Sequence, residues 1–248
     1  MEAFQLAREA EAGVLEMDLQ MTRDGRVVVM HDSTLERTTD GSGAVSQKSF
    51  EELRGLDAGH AFTPGGVPDE GPSPSGERVY RDSGVRVPEF SEVLAEFPEM
   101  RLNVEIKADS PGIERAVLRE IRRAGAGDRV LVASHEDSVI RRFREVSGGE
   151  IETAASVREV VRFYALSVLR LEGLVNPPYD ALQIPVRRRG LTLASPRFIE
   201  AAHSRGVRVD VWTIDEAREM RRLLDLGADA VITNQPAELQ EVLEKRGG

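Results

Sequence analysis

The chain has 248 residues, which suits one large barrel or two smaller domains, and it lacks cysteine, which excludes disulfides and thiolate metal sites. The formal net charge of −10 argues against a nonspecific nucleic-acid-binding protein, so no nucleic-acid partner is expected. No apolar run could span a bilayer and no signal peptide is visible, so we expect no integral membrane segment and a cytoplasmic location, with an export signal ahead of Met1 left open.

Strand-like and helix-like segments alternate from Met1 onward. The predicted helices span about 1–11, 89–96, 111–123, 138–146, 157–166, 195–205, 216–226 and 236–245, and the predicted strands about 13–18, 26–30, 102–106, 129–133, 151–154, 181–184, 207–211 and 230–233. Repeated strand–helix units with short connections predict an α/β fold with a parallel sheet. Their number, without a dinucleotide-binding glycine fingerprint, favours a (β/α)8 (TIM) barrel over a doubly wound sheet.

The alternation breaks between His31 and Glu89. Residues 61–86 are rich in Gly, Pro and charged residues, which predicts a long surface loop, and we expect disorder in 65–76. We therefore predict one domain over 1–248, with a loop-rich insertion over 31–88 that follows the second barrel strand.

Two carboxylates, Glu16 and Asp18, lie two residues apart in an apolar run. Strand side chains alternate between faces, so both point the same way. The alternative is a pair of solvated acids on an edge strand, but the apolar neighbours argue against it, and buried carboxylates require a cation or other partners. Glu16 and Asp18 are therefore predicted to be metal ligands.

A second polar row lies in the predicted strand 102–106. Asn103, Glu105 and Lys107 share one face of it, and the residues between them are apolar. Such a row is either a salt-bridged layer inside a barrel or part of a functional site. Trp212, the only tryptophan, follows another strand, where it is either a core filler or a binding residue.

Several motifs stand in a fixed order along the chain. They are Glu16-x-Asp18, Thr22-x-Asp24-Gly25, His31-Asp32, Arg37-Thr38-Thr39-x-Gly41, Asn103-Val-Glu-Ile-Lys107, Val211-Trp-Thr213 and residues 227–236. This ordered set resembles the glycerophosphodiester phosphodiesterase family, and the resemblance runs from Met1 almost to the end of the chain. Family members hydrolyse glycerophosphodiesters to glycerol 3-phosphate and an alcohol, which makes a small-molecule glycerophosphodiester the implied substrate.

The resemblance also implies roles for individual residues. Glu105 would complete the metal site with Glu16 and Asp18, and oxygen ligands without soft donors indicate Ca²⁺ or Mg²⁺. His31 would be the general acid or base, Lys107 would lie near the phosphate as a catalytic and substrate-binding residue, and Trp212 would line the substrate pocket. His135 follows a strand and could approach the barrel mouth, but a role for it is not favoured.

One part of the family pattern is absent. Only seven barrel strands are predicted, and the first family strand, with its His-Arg-Gly and Pro-Glu-Asn-Thr motifs, has no counterpart. One explanation is a start codon assigned too far downstream or a truncated gene fragment, and the other is a true seven-stranded variant without one catalytic histidine. Both explanations predict that catalysis is impaired in the chain as given.

Two rival functions stay open. One is a catalytically inactive barrel that binds a metal or a phosphate ligand. The other is a lipid hydrolase of the lysophospholipase D type, which would require an apolar groove near the barrel mouth. The alcohol part of the substrate and the oligomeric state stay open as well.

Overall fold

A computed structural model describes residues 1–63, 78–107 and 110–247, so the predicted disordered segment 65–76 lies outside the described residues. The strands are β1 (Val14–Met21), β2 (Val27–Val29), β3 (Arg101–Ile106), β4 (Val130–Ala133), β5 (Glu152–Thr153), β6 (Ala181–Pro185), β7 (Arg187–Arg188), β8 (Leu191–Thr192), β9 (Arg208–Trp212) and β10 (Ala230–Val231). The α-helices are α1 (Glu2–Glu9), α2 (Phe50–Arg54), α3 (Phe90–Glu96), α4 (Ile113–Arg123), α5 (Asp137–Ser147), α6 (Val157–Val168), α7 (Pro196–His203), α8 (Ala217–Asp225) and α9 (Pro236–Gly247), and short 3-10 helices span Val45–Gln47 and Glu172–Leu174.

The parallel strands follow one another in chain order around a curved sheet. β1, β3, β4 and β5 pair in that order, and β6, β9 and β10 form a second run. An isolated parallel bridge between Ala154 and Ala181 joins the two runs. Helices separate most successive parallel strands, so the predicted (β/α) barrel fold class is confirmed, with seven parallel strands among the described residues.

Two apolar layers lie between the strands and the surrounding helices. The first packs β1, β3 and β4 against α3, α4 and α5, with Leu15, Val104 and Phe143 among its buried side chains. The second packs β6 and β9 against α6, α7 and α8, with Phe163 and Phe198 in edge-to-face contact at 5.5 Å. Because alternate strand residues fill these layers, the remaining side chains of β1 and β3 face the barrel interior.

Helix starts agree with the capping residues in the sequence. Ser156 accepts a hydrogen bond from the Glu159 backbone N–H, and the Glu159 carboxylate accepts one from the Ser156 backbone, which forms a capping box at α6. Ser195 caps α7 and Pro196 occupies its first turn. Among the described residues, no helix is long and apolar enough to cross a membrane.

The described part of the insertion has a small core of its own. Val28, Leu35, Val45 and Leu53 are buried together there, beneath β2 and α2. β1 and β2 form an antiparallel hairpin whose turn contains Asp24 and Gly25, with Gly25 at φ +77°. The extent of the insertion over 31–88 stays a prediction.

A matched pair of leucines tests the location of the core. Leu15 is 2% exposed in β1, whereas Leu174 is 77% exposed in the second 3-10 helix. Leu15→Ala is expected to lower the free energy of unfolding by about 2–5 kcal/mol through lost burial and a residual cavity. Leu174→Ala is expected to change it by less than about 0.5 kcal/mol. Urea unfolding followed by circular dichroism measures both, and equal losses would contradict this core assignment.

Candidate functional site

The predicted carboxylates lie side by side at the carboxyl ends of β1 and β3. The parallel register places Asp18 directly opposite Glu105 and Glu16 opposite Asn103. All four side chains face away from the apolar layer that buries Leu15. The sheet therefore gathers three carboxylates that are far apart in the sequence onto one patch of the barrel interior.

Lys107 joins two of these carboxylates. Its Nζ lies 3.3 Å from Asp18 Oδ1 and 3.1 Å from Glu105 Oε2. Burial acts to lower the pKa of Lys107, but attraction to Glu105 and Asp18 outweighs it, so the pKa is raised. Lys107 is therefore held as a cation between two acids.

Glu16 and Asp18 both carry raised pKa values. Burial is the largest cause for Asp18, and the Lys107 ammonium opposes it. Burial, followed by repulsion from Asp18 and Glu105, raises the pKa of Glu16 to about 8. Glu16 therefore keeps its proton in most molecules at neutral pH when no cation is bound.

Glu105 is also bonded to a histidine that the sequence prediction did not favour. His135, just beyond the end of β4, forms a hydrogen bond through Nδ1 to Glu105 Oε1. Burial acts to raise the pKa of Glu105, but the bonds from His135 and Lys107 outweigh it and lower the pKa. The bond to Glu105 raises the pKa of His135 in turn. The position of His135 after a strand was the available signal, because side chains at strand ends meet at the barrel mouth.

Trp212 is the last residue of β9 and reaches the same group of side chains. Its ring contacts the His135 ring edge-on, with centroids 6.2 Å apart. The tryptophan therefore faces the cavity described below rather than the apolar layer behind the sheet.

His31 lies at the end of the β1–β2 hairpin, within a chain of charged side chains. Its Nδ1 is 2.7 Å from Asp32 Oδ1, and Asp32 accepts two hydrogen bonds from Arg37, from Nε at 2.6 Å and from Nη2 at 2.9 Å. The Arg37 guanidinium is the main reason that the pKa of Asp32 falls to about 2. An ionised Asp32 fixes the orientation of the His31 ring, so Arg37 supports the site through Asp32.

These groups line one cavity of about 690 Å³. Its charged lining includes Glu16, Asp18, Glu105, Lys107, His31 and His135. Its apolar lining comes mainly from α6 and from the residues around β8, and includes Val157, Val161, Tyr164, Leu191 and Leu193. The cavity can therefore hold a ligand with one charged part and one less polar part.

A polar layer lies beside the acids in the barrel interior. Gln183 of β6 donates from Nε2 to Asn103 Oδ1 at 3.0 Å and to Asp210 Oδ2 at 3.4 Å. Burial raises the pKa of Asp210, and the bond from Gln183 opposes this rise. Asn103 and Gln183 also line the cavity, so this layer fixes the position of its inner wall.

The donor atoms of this cluster are of the kind that a hard cation prefers, but their arrangement is not that of a finished metal site. Glu16, Asp18 and Glu105 offer only carboxylate oxygens, and burial is the largest cause of the raised pKa values of Glu16 and Asp18, a rise that a nearby cation would oppose. Within the described residues, however, no three His, Asp or Glu side chains converge as a finished ligand set, and the Lys107 ammonium lies between Asp18 and Glu105. The oxygen donors of these residues therefore suit a hard divalent cation, although Lys107 lies between two of them.

Comparisons with known proteins agree on one family. Residues 1–238 match the glycerophosphoryl diester phosphodiesterase family. A glycerophosphodiester phosphodiesterase from Caldanaerobacter subterraneus subsp. tengcongensis is 30% identical over 252 residues, which cover 99% of this chain and 91% of the relative.

Solved structures show the same fold. A glycerophosphoryl diester phosphodiesterase domain from Mycobacterium tuberculosis superposes with a TM-score of 0.82 at 21% identity and covers 96% of this chain and 91% of that one. An Oleispira antarctica phosphodiesterase, solved with the product sn-glycerol-3-phosphate, has a TM-score of 0.72 at 20% identity and covers 98% and 90%. The resemblance inferred from the motifs is confirmed, and the chain belongs to the glycerophosphoryl diester phosphodiesterase family.

Proposed function

We propose that this chain catalyses the divalent-metal-dependent hydrolysis of glycerophosphodiesters to glycerol 3-phosphate and an alcohol, with the activity lowered because the sequence as given has no His-Arg-Gly motif. The observation that carries the proposal is the meeting of Glu16, Asp18, Glu105, Lys107 and His31 in one cavity at the carboxyl ends of the barrel strands. Family membership and the product-bound phosphodiesterase of the same fold support it.

Lys107, His31 and Trp212 would each have a different role in the reaction. Lys107 is held cationic by two carboxylates, so its ammonium is available to stabilise negative charge on the phosphoryl oxygens. His31, oriented by Asp32, is exposed to the cavity and transfers a proton to or from the attacking or leaving oxygen. Trp212 lines the cavity from the end of β9 and would pack against the bound substrate.

Glu16, Asp18 and Glu105 would hold the divalent cation, for which we propose Ca²⁺ or Mg²⁺. The bound cation would neutralise the phosphodiester and orient an attacking oxygen. It would also relieve the repulsion that raises the pKa of Glu16, because a cation favours the ionised form of each carboxylate.

The apolar side of the cavity favours a second candidate, a hydrolase of lysophospholipids. Such an enzyme requires a groove for an acyl chain near the barrel mouth, and Val157, Val161, Tyr164, Leu191 and Leu193 provide an apolar wall there. Turnover of detergent-dispersed lysophospholipid at a higher kcat/KM than glycerophosphocholine would support this candidate over the first.

Glu105→Gln tests the proposed function directly. The change keeps the shape of the side chain but removes a proposed metal ligand, so kcat/KM for glycerophosphocholine is expected to fall by about a thousandfold or more. Release of glycerol 3-phosphate, assayed with Ca²⁺, Mg²⁺ or a chelator, measures the effect. Glu96→Gln, an exposed change on α3, is the matched control and should leave activity unaltered. Full activity of Glu105→Gln at saturating metal would rule out the ligand role of Glu105. If the native chain binds diesters without cleaving them, the result would support the catalytically inactive binding barrel.

His31→Gln tests proton transfer. We expect kcat to fall by about 10²–10⁴-fold with little change in KM, because the ring acts on the reacting oxygen rather than on ground-state binding. His203→Gln is the control, since His203 bonds Asp229 at the end of α7 and lies outside the cavity lining. A His31 variant with native kcat across the pH range would assign proton transfer to another group.

The raised pKa of Glu16 predicts how stability depends on pH in the metal-free protein. The folded pKa of about 8 lies above the ordinary value of 4.5, so the folded state keeps a proton that the unfolded state loses, and stability falls as pH rises from 4.5 to 8. Solvent access to Glu16 reduces the loss to about 1 kcal/mol. Urea unfolding at pH 5 and pH 8 should show this loss in the native chain and a smaller one in Glu16→Gln.

The same experiment has a cation arm. Added Ca²⁺ or Mg²⁺ is expected to restore the stability of the native chain at pH 8, because the cation binds the ionised carboxylates of the folded state. Glu244→Gln, an exposed change on α9, should behave as the native chain does. Equal responses of the native chain and Glu16→Gln to both pH and cation would contradict a role for Glu16.

A further inference from the structure

A short hairpin that the sequence patterns did not predict projects at the cavity mouth. β7 and β8 pair through Arg187 with Thr192 and Arg188 with Leu191. The two-residue turn between them has positive φ at both positions, +49° at Arg189 and +82° at Gly190, as in a type I′ turn. A left-handed conformation is uncommon for arginine, so the pairing of β7 with β8 must hold Arg189 in it.

Two of the three consecutive arginines line the cavity. Arg188 and Arg189 belong to its wall together with Leu191, whereas Arg187 does not. All three arginines are exposed, and within the described residues none of them makes an ion pair or a side-chain hydrogen bond. Arg187 instead lies close enough to Glu219 of α8 for its charge to lower the pKa of that carboxyl, after the larger effect of Arg222.

The other arginine and lysine of the cavity wall are already neutralised. Lys107 lies between Asp18 and Glu105, and Arg37 is bound to Asp32. Arg188 and Arg189 are therefore the guanidinium groups of this wall whose positive charge is left for a ligand, as far as the described residues show.

We infer that Arg188 and Arg189 bind a second anionic group, carried by the alcohol part of the substrate. The inference rests on the proposed function, in which Lys107 and the carboxylate cluster take the scissile phosphodiester. Guanidinium groups match phosphate and carboxylate oxygens in geometry as well as charge. A cavity of about 690 Å³ has room for both anions. The preferred substrates are then glycerophosphodiesters whose alcohol is itself phosphorylated.

A pair of substrates that differ by one phosphate tests this inference. The native chain should cleave glycerophosphoinositol 4-phosphate with a kcat/KM about tenfold above that for glycerophosphoinositol, a factor typical of charge-assisted contacts that solvent weakens. Arg188→Gln with Arg189→Asn should abolish this preference and leave glycerophosphoinositol within about twofold of native, since asparagine tolerates the left-handed backbone at the turn.

Matched variants separate charge from position. Arg187→Gln removes the same charge from the same hairpin outside the cavity wall, so both substrates should behave as with the native chain. Arg188→Lys with Arg189→Lys keeps the charge and should retain part of the preference. An equal loss of kcat/KM for both substrates in the Gln/Asn variant would show that the arginines attract the scissile phosphate, and this result would overturn the inference. The absence of any preference in the native chain would overturn it as well.

A binding measurement keeps the two proposals distinguishable. If neither diester is cleaved, the proposed function fails, and calorimetric titration with glycerophosphoinositol 4-phosphate then decides the inference alone. The Gln/Asn variant should bind this compound about tenfold more weakly than the native chain and glycerophosphoinositol equally well. Equal affinities of the two proteins for glycerophosphoinositol 4-phosphate would overturn the inference, and circular dichroism spectra would verify that both proteins are folded.

Discussion

The excess of carboxylates over cations inside the barrel is the constraint on which the rest of the site depends. The register of β1 against β3 puts Asp18 opposite Glu105 and, two residues earlier on the same face, Glu16 opposite Asn103. Carboxylates in such a setting require a cation, and Lys107 supplies one between Asp18 and Glu105. A slip of one residue would turn these acids into the apolar layer that buries Leu15, so core packing and the site fix the same register.

The apolar pattern of β1 and β3 was sufficient to predict which faces carry the site. Alternation put Glu16 with Asp18, and Glu105 with Lys107, on the side away from the apolar residues, and a parallel sheet brings strand ends together. The contact between His135 and Glu105 could not be predicted in this way, since it depends on the exact reach of two side chains 30 residues apart. The same holds for the bonds that Gln183 makes to Asn103 and Asp210.

Strand boundaries were less predictable than strand positions, because pairing partners decide where a strand ends. β1 extends to Met21, beyond the predicted limit, since β2 pairs with its last residues after β3 has ended. β10 is shorter than predicted and pairs with β9 over two residues among the described part of the chain. The β7–β8 hairpin was missed because two-residue strands carry no periodicity, and its turn uses Arg189 where asparagine or glycine is the usual signal.

The placement of charge around the cavity relates the site to its substrate. An anionic ligand must approach a floor that holds Glu16, Asp18 and Glu105, which repel it until a cation is present. Lys107 offsets part of this repulsion, but both of its carboxylate partners share its charge. The exposed guanidinium groups of Arg188 and Arg189 also line this cavity, where their positive charge attracts an anion. An extended dianion would therefore contact both positive groups, with its scissile phosphodiester at Lys107 and the cation site and its second anion at the two arginines. A short diester with a single negative charge can contact only one of these positive groups at a time.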